Sequence, residues 1–309
     1  MIIALAGYSA VMSIPEVVLW RALLHGLMIL SLAVPMLGQA AQNPSPMVEH
    51  TREHPRLTRS SPAGVRRQLK LGSLFIPGKL KGRREIPLLV FFHGGDWLPE
   101  VAVSQSGKIA VVSVQAGSGS GSYSKLFVDA ASFPSLIADA EAVGGVKFSE
   151  IDLGGWSAGC GALRQILRDT ASYDRVSRAL CIDGVHAGYA AGYSAGAPGV
   201  AEPEIEPKDL DSWLRFGRDA IGGKKRLIIT HSEIFPGTYA STTETADYLL
   251  RQWGVAPHAV VKWGPMKTQM LSEVKAGGLM VVGFAGNSAP DHVDQMQSLG
   301  EYLRWLFRR

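Results

Sequence analysis

From residue 65 onward, uninterrupted apolar runs alternate with segments of helical periodicity. A strand that is apolar at every position fits a sheet covered on both faces, because both sides of the strand are then buried. The runs predict strands at residues 65–76, 86–92, 109–114, 151–156, 179–182, 226–230, 259–263 and 279–284. Helices are predicted near 129–143, 158–170, 208–221, 241–253 and 291–307. The alternation predicts an α/β fold, with a mostly parallel sheet and helices on both faces.

The first forty residues have a different pattern, typical of a secretory signal peptide. An apolar stretch at residues 22–37 follows Arg21 and precedes the small residues Gly38 and Ala40, which predicts cleavage after Ala40. The alternative is an uncleaved membrane anchor, but His25 and Pro35 interrupt a run that is marginal against the roughly 20 residues of a full span. We therefore predict export to the periplasm or the extracellular space, without stable membrane insertion after cleavage.

The rest of the chain divides into two parts. Residues 41–64 are polar and rich in proline, which predicts a flexible lead-in. Residues 65–309 carry the alternating pattern and are predicted to form one catalytic domain. Within it, residues 117–122 alternate glycine and serine and are predicted to be a loop.

Composition excludes several classes of protein. With 46% hydrophobic and 19% charged residues among 309, the chain is neither disordered nor a coiled coil, and its glycines lack a collagen period. Lys and Arg outnumber Asp and Glu by 31 to 27, a net charge of only +4. No dense basic face follows the first sixty-odd residues, so we expect no nucleic-acid partner.

The two cysteines, Cys160 and Cys181, are too few for a disulfide scaffold or a Cys-rich zinc site. No C-x-x-C or H-E-x-x-H motif is present, and we expect neither a metal nor a cofactor. Both cysteines lie in apolar or glycine-rich stretches, which favours buried free thiols. A bridge between them is the alternative if the protein is exported.

The clearest chemical signal is a G-x-S-x-G motif at residues 155–159, between a predicted strand and a predicted helix. A sharp strand-to-helix turn exposes the central residue, and small residues two positions away on each side avoid a collision. The motif predicts Ser157 as a nucleophile, although such a pentapeptide also occurs in structural turns. The Ala158 amide, directly after it, is one predicted oxyanion donor.

A second glycine turn follows the strand at 86–92, in the sequence His93-Gly94-Gly95-Asp96. We predict the Gly95 amide as the other oxyanion donor, with Asp96 as a possible additional amide. The alternative is an ordinary turn that closes the strand.

The general base is predicted to be His292, which follows the last predicted strand at the head of the last helix. Other histidines fit less well. His93 belongs to the glycine turn, His186 and His231 follow earlier strands, and His258 precedes a strand.

Two carboxylates are candidates for the triad acid. Asp183 directly follows the strand at 179–182, and Glu233 follows the next strand. Both preserve the chain order serine, acid, histidine. We favour Asp183, because a short side chain immediately after an apolar strand is held rigidly, and keep Glu233 as the alternative.

Taken together, the strand-borne G-W-S-A-G motif, the H-G-G turn and the late histidine resemble the α/β-hydrolase superfamily over about residues 65–309. The resemblance implies eight strands with one antiparallel, a Ser-acid-His triad formed by Ser157, Asp183 or Glu233 and His292, and an oxyanion hole formed by Gly95 and Ala158. It implies no metal. No long insertion resembling a large lid is present in the sequence, and residues 186–207, rich in Gly, Ala and Pro, are the candidate segment for a cap over the site.

An ester is the default substrate, because an alcohol leaves more easily than an amine. Trp97, Trp156, Tyr189 and Tyr193 lie near the predicted site in sequence, which favours a small-molecule or carbohydrate-linked ester, unless these rings only pack the core. The alternatives are a peptidase or acyltransferase with the same triad, and a non-catalytic binding protein on a hydrolase scaffold.

Overall fold

The computed structural model describes residues 56–190 and 204–308. The predicted signal peptide at 1–40, most of the lead-in, and residues 191–203 of the candidate cap, with Tyr193, lie outside these ranges. Among the described residues, no helix has both the length and the apolar character needed to cross a membrane.

A single sheet of ten strands runs through the described part of the chain. The strands are β1 (Gly64–Gln68), β2 (Ser73–Pro77), β3 (Glu85–Phe92), β4 (Ala110–Val114), β5 (Lys147–Trp156), β6 (Val176–Ile182), β7 (Arg226–Ser232), β8 (His258–Trp263), β9 (Gln269–Ala276) and β10 (Leu279–Phe284). Their order is β1-β2-β4-β3-β5-β6-β7-β10-β9-β8. The six central strands of the sheet, β4, β3, β5, β6, β7 and β10, are parallel to one another. The two strands at each edge, β1 and β2 on one side and β9 and β8 on the other, pair antiparallel.

The mostly parallel sheet is confirmed, but the expected number of eight strands, with one antiparallel, is wrong. The run at 65–76 is broken by a turn in which the Leu69 N–H bonds the Gly72 carbonyl, so it forms the hairpin β1–β2. Strand β9 was not predicted, because its polar, half-exposed sequence lacks an apolar run. Strand β9 lies between β10 and β8 and pairs antiparallel with both, so β8 forms the exposed edge of the sheet.

Nine α-helices flank the sheet in the described ranges. They are α1 (Trp97–Ser106), α2 (Ser120–Lys125), α3 (Ser132–Gly144), α4 (Cys160–Ile166), α5 (Thr170–Arg175), α6 (Asp211–Ile221), α7 (Thr242–Trp253), α8 (Ala289–Gln297) and α9 (Leu299–Leu306). Neither α1 nor α2 was predicted, and α2 occupies part of the Gly/Ser segment that was expected to be a loop.

The buried side chains form two clusters, one on each face of the sheet. Strand β3 shows the division: Leu88 and Val90 belong to one cluster, and Leu89 and Phe91 to the other. Successive strand residues point to opposite faces, so a strand that is apolar throughout supplies both clusters. Helices α1, α8 and α9 contribute to one cluster, and α2 to α7 to the other. This confirms the expected helices on both faces.

The expectation of free thiols is wrong, because Cys160 and Cys181 form a disulfide. Cys181 lies on β6, beside Gly155 of the neighbouring strand β5, and Cys160 begins the helix that follows β5. This proximity depends on the pairing of β5 with β6, which the linear sequence does not reveal. Both cysteines are buried.

Candidate active site

The chain turns sharply at Ser157, between β5 and α4. Ser157 has a φ of 49°, in the left-handed region that a non-glycine residue adopts only at an energetic cost. A short 3₁₀ turn, Ser157–Gly159, then leads into α4. The predicted strand-turn-helix geometry around Ser157 is therefore present.

Two glycines make this turn possible. A Cβ on Gly155 would lie 2.9 Å from the carbonyl carbon of Gly159, and a Cβ on Gly159 would collide with the carbonyl oxygen of Phe92. The second contact presses the turn against the end of β3. The Ala158 amide is thereby held close to the glycine turn that follows β3.

That glycine turn has positive φ at three successive residues, His93 (75°), Gly94 (100°) and Gly95 (69°). The Gly94 N–H donates to Gln115 Oε1 at 3.1 Å, so it is already engaged. The Gly95 N–H donates no hydrogen bond among the described residues. Gly95 is exposed, and its amide can serve a ligand. The Asp96 N–H likewise donates no hydrogen bond among the described residues, so it stays the additional candidate. The Asp96 carboxylate accepts from the Ser73 hydroxyl at 2.9 Å.

Asp183 directly follows β6, with a φ of 43°. Its Oδ2 accepts from His292 Nδ1 at 2.7 Å. Ser232 donates to the same carboxylate through its backbone N–H at 3.0 Å and its hydroxyl at 2.7 Å, and the Thr242 hydroxyl donates at 2.6 Å. Neither Ser232 nor Thr242 was singled out from the sequence. The signal that could have found them is their position, at the end of a strand and the start of a helix on the same edge of the sheet.

These contacts determine the protonation state of Asp183. The side chain is 2% exposed, and burial alone raises the pKa of a carboxyl group. The hydrogen bond and charge of His292, together with the Thr242 and Ser232 hydroxyls, outweigh burial and lower the pKa below its usual value. Asp183 is therefore a buried carboxylate that stays ionised at neutral pH.

His292 lies in the first turns of α8. Ser288 and Asp291 begin this helix with reciprocal hydrogen bonds between side chain and backbone. The Trp156 indole N–H donates to the His292 carbonyl at 3.0 Å, and the two rings lie 4.7 Å apart between centroids. The residue before Ser157 therefore helps to hold this imidazole in place.

The turn at Ser157 also contacts the segment that carries Asp183. A Cβ on Gly184 would lie 2.8 Å from the backbone nitrogen of Ser157. The structure thus brings Ser157, Asp183 and His292 to the same edge of the sheet through direct contacts of their neighbours.

Glu233 occupies a different position. It is exposed, and its carboxylate accepts from the Gly286 N–H at 3.2 Å while its own N–H donates to the Gly286 carbonyl at 2.9 Å. No bond joins it to His292 in the described part of the chain.

The remaining histidines at this edge have other partners. His93 Nδ1 lies 2.8 Å from the Tyr123 hydroxyl, and its ring stacks on Trp156 with centroids 4.9 Å apart. Burial and the charge of His292 lower the pKa of His93. His231 is buried, with Nδ1 2.9 Å from the Thr243 hydroxyl.

A cavity of about 400 Å³ opens beside Ser157 and Ala158. None of the predicted substrate-binding aromatics is among its described lining residues. Trp156 contacts the rings of His93 and His292, and Trp97 lies against Gly95 at the glycine turn. The Tyr189 hydroxyl instead donates to the Glu244 carboxylate at 3.0 Å, which anchors its segment to the start of α7. Burial, together with that carboxylate, raises the pKa of Tyr189 to about 12.

The sequence matches no family model, and no curated protein matches it either. Several solved structures are similar in fold. The esterase Est2 from the Planctomycetes species Thermogutta terrifontis is 15% identical, covering 79% of this chain and 92% of its own, with a TM-score of 0.44. Est1E from Butyrivibrio proteoclasticus is 11% identical, covering 80% of this chain and 100% of its own, with a TM-score of 0.42. An acylaminoacyl peptidase from Pyrococcus horikoshii is 13% identical, covering 82% of this chain and 42% of its own, with a TM-score of 0.43.

Proposed function

We propose that this chain is a serine hydrolase of the α/β-hydrolase kind that cleaves carboxylic esters through an acyl-enzyme on Ser157. The observation that carries the proposal is the 2.7 Å hydrogen bond from His292 Nδ1 to the buried Asp183 carboxylate, beside a serine with positive φ. A buried carboxylate paired with an imidazole next to a strained serine is the arrangement that activates a hydroxyl.

The pairing determines what the imidazole does. Because Nδ1 donates to an ionised carboxylate, the neutral ring carries its free lone pair on Nε2. His292 Nε2 takes the Ser157 proton as Oγ attacks the ester carbonyl, and the carboxylate stabilises the imidazolium that forms. The imidazolium then protonates the leaving alcohol, which leaves an acyl group on Ser157. Water, activated by the same nitrogen, hydrolyses the acyl-enzyme.

The oxyanion is assigned to two backbone amides, those of Ala158 and Gly95. Donors fixed by the backbone need no reorganisation as charge develops on the carbonyl oxygen. The Gly159 contact with the end of β3 supports this pairing, because it holds the two turns together. Trp156 is assigned as a positioning residue for His292 rather than as a substrate contact.

A fluorophosphonate probe tests the proposal, since it reacts covalently with activated serines. We expect the purified protein to be labelled and Ser157→Ala to lose all labelling. Ser122→Ala, which removes an exposed serine from the nearby helix α2, should be labelled like the parent. Folded protein that resists the probe, or Ser157→Ala that still reacts, would refute the proposal.

We further propose that the protein is exported, with residues 1–40 removed. The Cys160–Cys181 disulfide supports export, because such bonds persist in oxidising compartments and are rare in the cytosol. Sequencing the amino terminus of protein recovered from the periplasm or medium should give Ala41 as the first residue. Recovery of the chain only in the cytosol, still beginning at Met1, would contradict it.

A further inference from the structure

The cavity beside Ser157 is lined by polar side chains and by small residues. Besides Ser157 and Ala158, its described lining comprises Arg164, Asp209, His186, Tyr239 and Ser120 together with Gly119, Ala187 and Gly188, and it includes no leucine, isoleucine, valine or phenylalanine. A pocket for a long acyl chain would need apolar walls, since burying these polar groups against hydrocarbon leaves them unpaired. The cavity therefore selects for a polar group on the substrate.

Arg164 and Asp209 form an ion pair in this wall. Arg164, on α4, donates through Nη1 to Asp209 Oδ1 at 2.8 Å and to the His186 carbonyl at 3.3 Å. Asp209 Oδ2 accepts from the Gly188 N–H at 2.9 Å. These bonds hold both side chains in fixed positions, and their charges balance each other.

Two nitrogens in the same wall are buried without a partner among the described residues. They are Arg164 Nε, which is a donor, and His186 Nδ1. Neither nitrogen is itself accessible, so a ligand in the cavity meets the accessible parts of these two side chains; the Arg164 side chain as a whole is 15% exposed. Because a guanidinium only donates hydrogen bonds, a ligand here needs at least one acceptor for Arg164.

His186 adds a ring that can both donate and accept a hydrogen bond. Its ring packs edge-on against Tyr239, with centroids 5.4 Å apart. Burial lowers the pKa of His186 to about 4, with His292 and Arg164 acting in the same direction and Asp183 opposing them. The ring is therefore neutral at pH 7 and offers one donor and one acceptor nitrogen.

The balance of charge decides between an anionic ligand and a hydroxylated one. Arg164 is already paired with Asp209, so a carboxylate bound at Arg164 would also lie near the Asp209 carboxylate. Arg168, whose charge also acts on Arg164, is exposed and donates to the Lys208 carbonyl. A hydroxyl both donates and accepts, so adjacent hydroxyls can satisfy the Arg164 donor and His186 without added charge. The loop after β7 also presents two exposed aromatic rings, Phe235 and Tyr239, the second of them at the cavity.

We propose that this cavity binds a neutral, polyhydroxylated, sugar-like part of the ester, with Arg164, Asp209 and His186 hydrogen-bonding its hydroxyls. The inference rests on the esterase function proposed above and names the substrate class for the same site. Tyr239 provides an aromatic wall for the ring, and the fixed Arg164–Asp209 pair sets the orientation of the hydroxyls.

Matched acetate esters test the proposal. The 6-acetate of methyl α-D-glucopyranoside and cyclohexylmethyl acetate share an acetyl group, a primary alcohol and a six-membered ring, but only the first has hydroxyls. We expect kcat/KM to be at least tenfold higher for the glucoside. A ratio near one, or a preference for the anionic comparator 4-(acetoxymethyl)cyclohexanecarboxylate, would overturn the proposal.

Variants connect the preference to the cavity. Arg164→Met combined with Asp209→Asn removes both charges together, and the glucoside-to-cyclohexyl ratio of kcat/KM should fall toward one. Arg226→Met is the matched control. Arg226 also has a buried Nε without a partner among the described residues, but it lies at the start of β7, at the opposite end of that strand from Ser232. Arg226→Met should keep the parent ratio. If the double variant does not fold, as judged by thermal melting, His186→Leu should lower the same ratio.

A binding measurement separates this inference from the proposed function. Methyl α-D-glucopyranoside should bind the parent protein in calorimetry and compete with ester hydrolysis, whereas cyclohexylmethanol should bind at least tenfold more weakly. Protein that reacts with fluorophosphonate but shows no such difference refutes the sugar subsite alone. Protein that binds the glucoside but does not react with the probe refutes the hydrolase and leaves the subsite standing.

Discussion

Replacing Asp183 by asparagine is expected to lower kcat by about 10⁴-fold, the loss typical of removing the charge from a buried triad acid. Asparagine can donate its amide hydrogen to His292 Nδ1, which would force the ring proton onto Nε2 and leave no lone pair facing Ser157. The Ser232 and Thr242 donors would also lose their anionic acceptor. Steady-state hydrolysis of p-nitrophenyl acetate measures the effect.

Glu233→Gln is the matched control, since it removes the other candidate carboxylate. We expect kcat within about twofold of the parent, because the hydrogen bonds of Glu233 are to Gly286 and not to His292. Should Glu233→Gln cause the large loss while Asp183→Asn stays active, the acid has been assigned to the wrong strand.

The fold was predictable from sequence where the signal was local. Strands buried on both faces, such as β3 and β10, are continuous apolar runs that are easily distinguished from the more polar sequence around them. Strand β9 is stabilised instead by pairing along both of its edges, so its sequence needs no apolar run. The hairpin β1–β2 depends on one short turn at residues 69–72. A search for apolar runs does not detect this turn and therefore predicts one strand at residues 65–76.

The candidate site shows the same limit. Ser157 has a local motif, because the close contact between Gly155 and Gly159 acts within five residues. The second close contact, of Gly159 with the end of β3, exists only in the folded chain. The residues around Asp183 come from separate segments: Ser232 and Thr242 lie 49 and 59 positions away, and the pairing of β6 with β7 brings them in. Arg164 and Asp209 likewise meet only in the folded chain, 45 positions apart.

The disulfide connects the two halves of the proposed machinery. Cys160 follows Ser157 by three residues, and Cys181 precedes Asp183 by two. The bond therefore joins the nucleophile turn to the strand that ends at the acid, in addition to the backbone pairing of β5 with β6. Two segments that must keep a fixed separation for proton transfer are thus tied covalently beside the reacting groups.

Ser157→Ala and His292→Ala should each lower kcat by about 10⁶-fold, and the double variant should be no slower than either single variant. The reason is that the serine and the imidazole act in one step. Without the base the hydroxyl is not activated, and without the hydroxyl the base has no proton to take. A residual rate of about 10³-fold over water should persist, supplied by the amides of Ala158 and Gly95.

The comparison requires kcat for p-nitrophenyl acetate in all three variants and in His258→Ala, which replaces an exposed histidine at the start of β8. His258→Ala should match the parent. Losses that multiply in the double variant would show that Ser157 and His292 act independently. Independent action is incompatible with a triad, because the 2.7 Å bond between His292 and Asp183 has a catalytic consequence only if the imidazole exchanges its proton with Ser157.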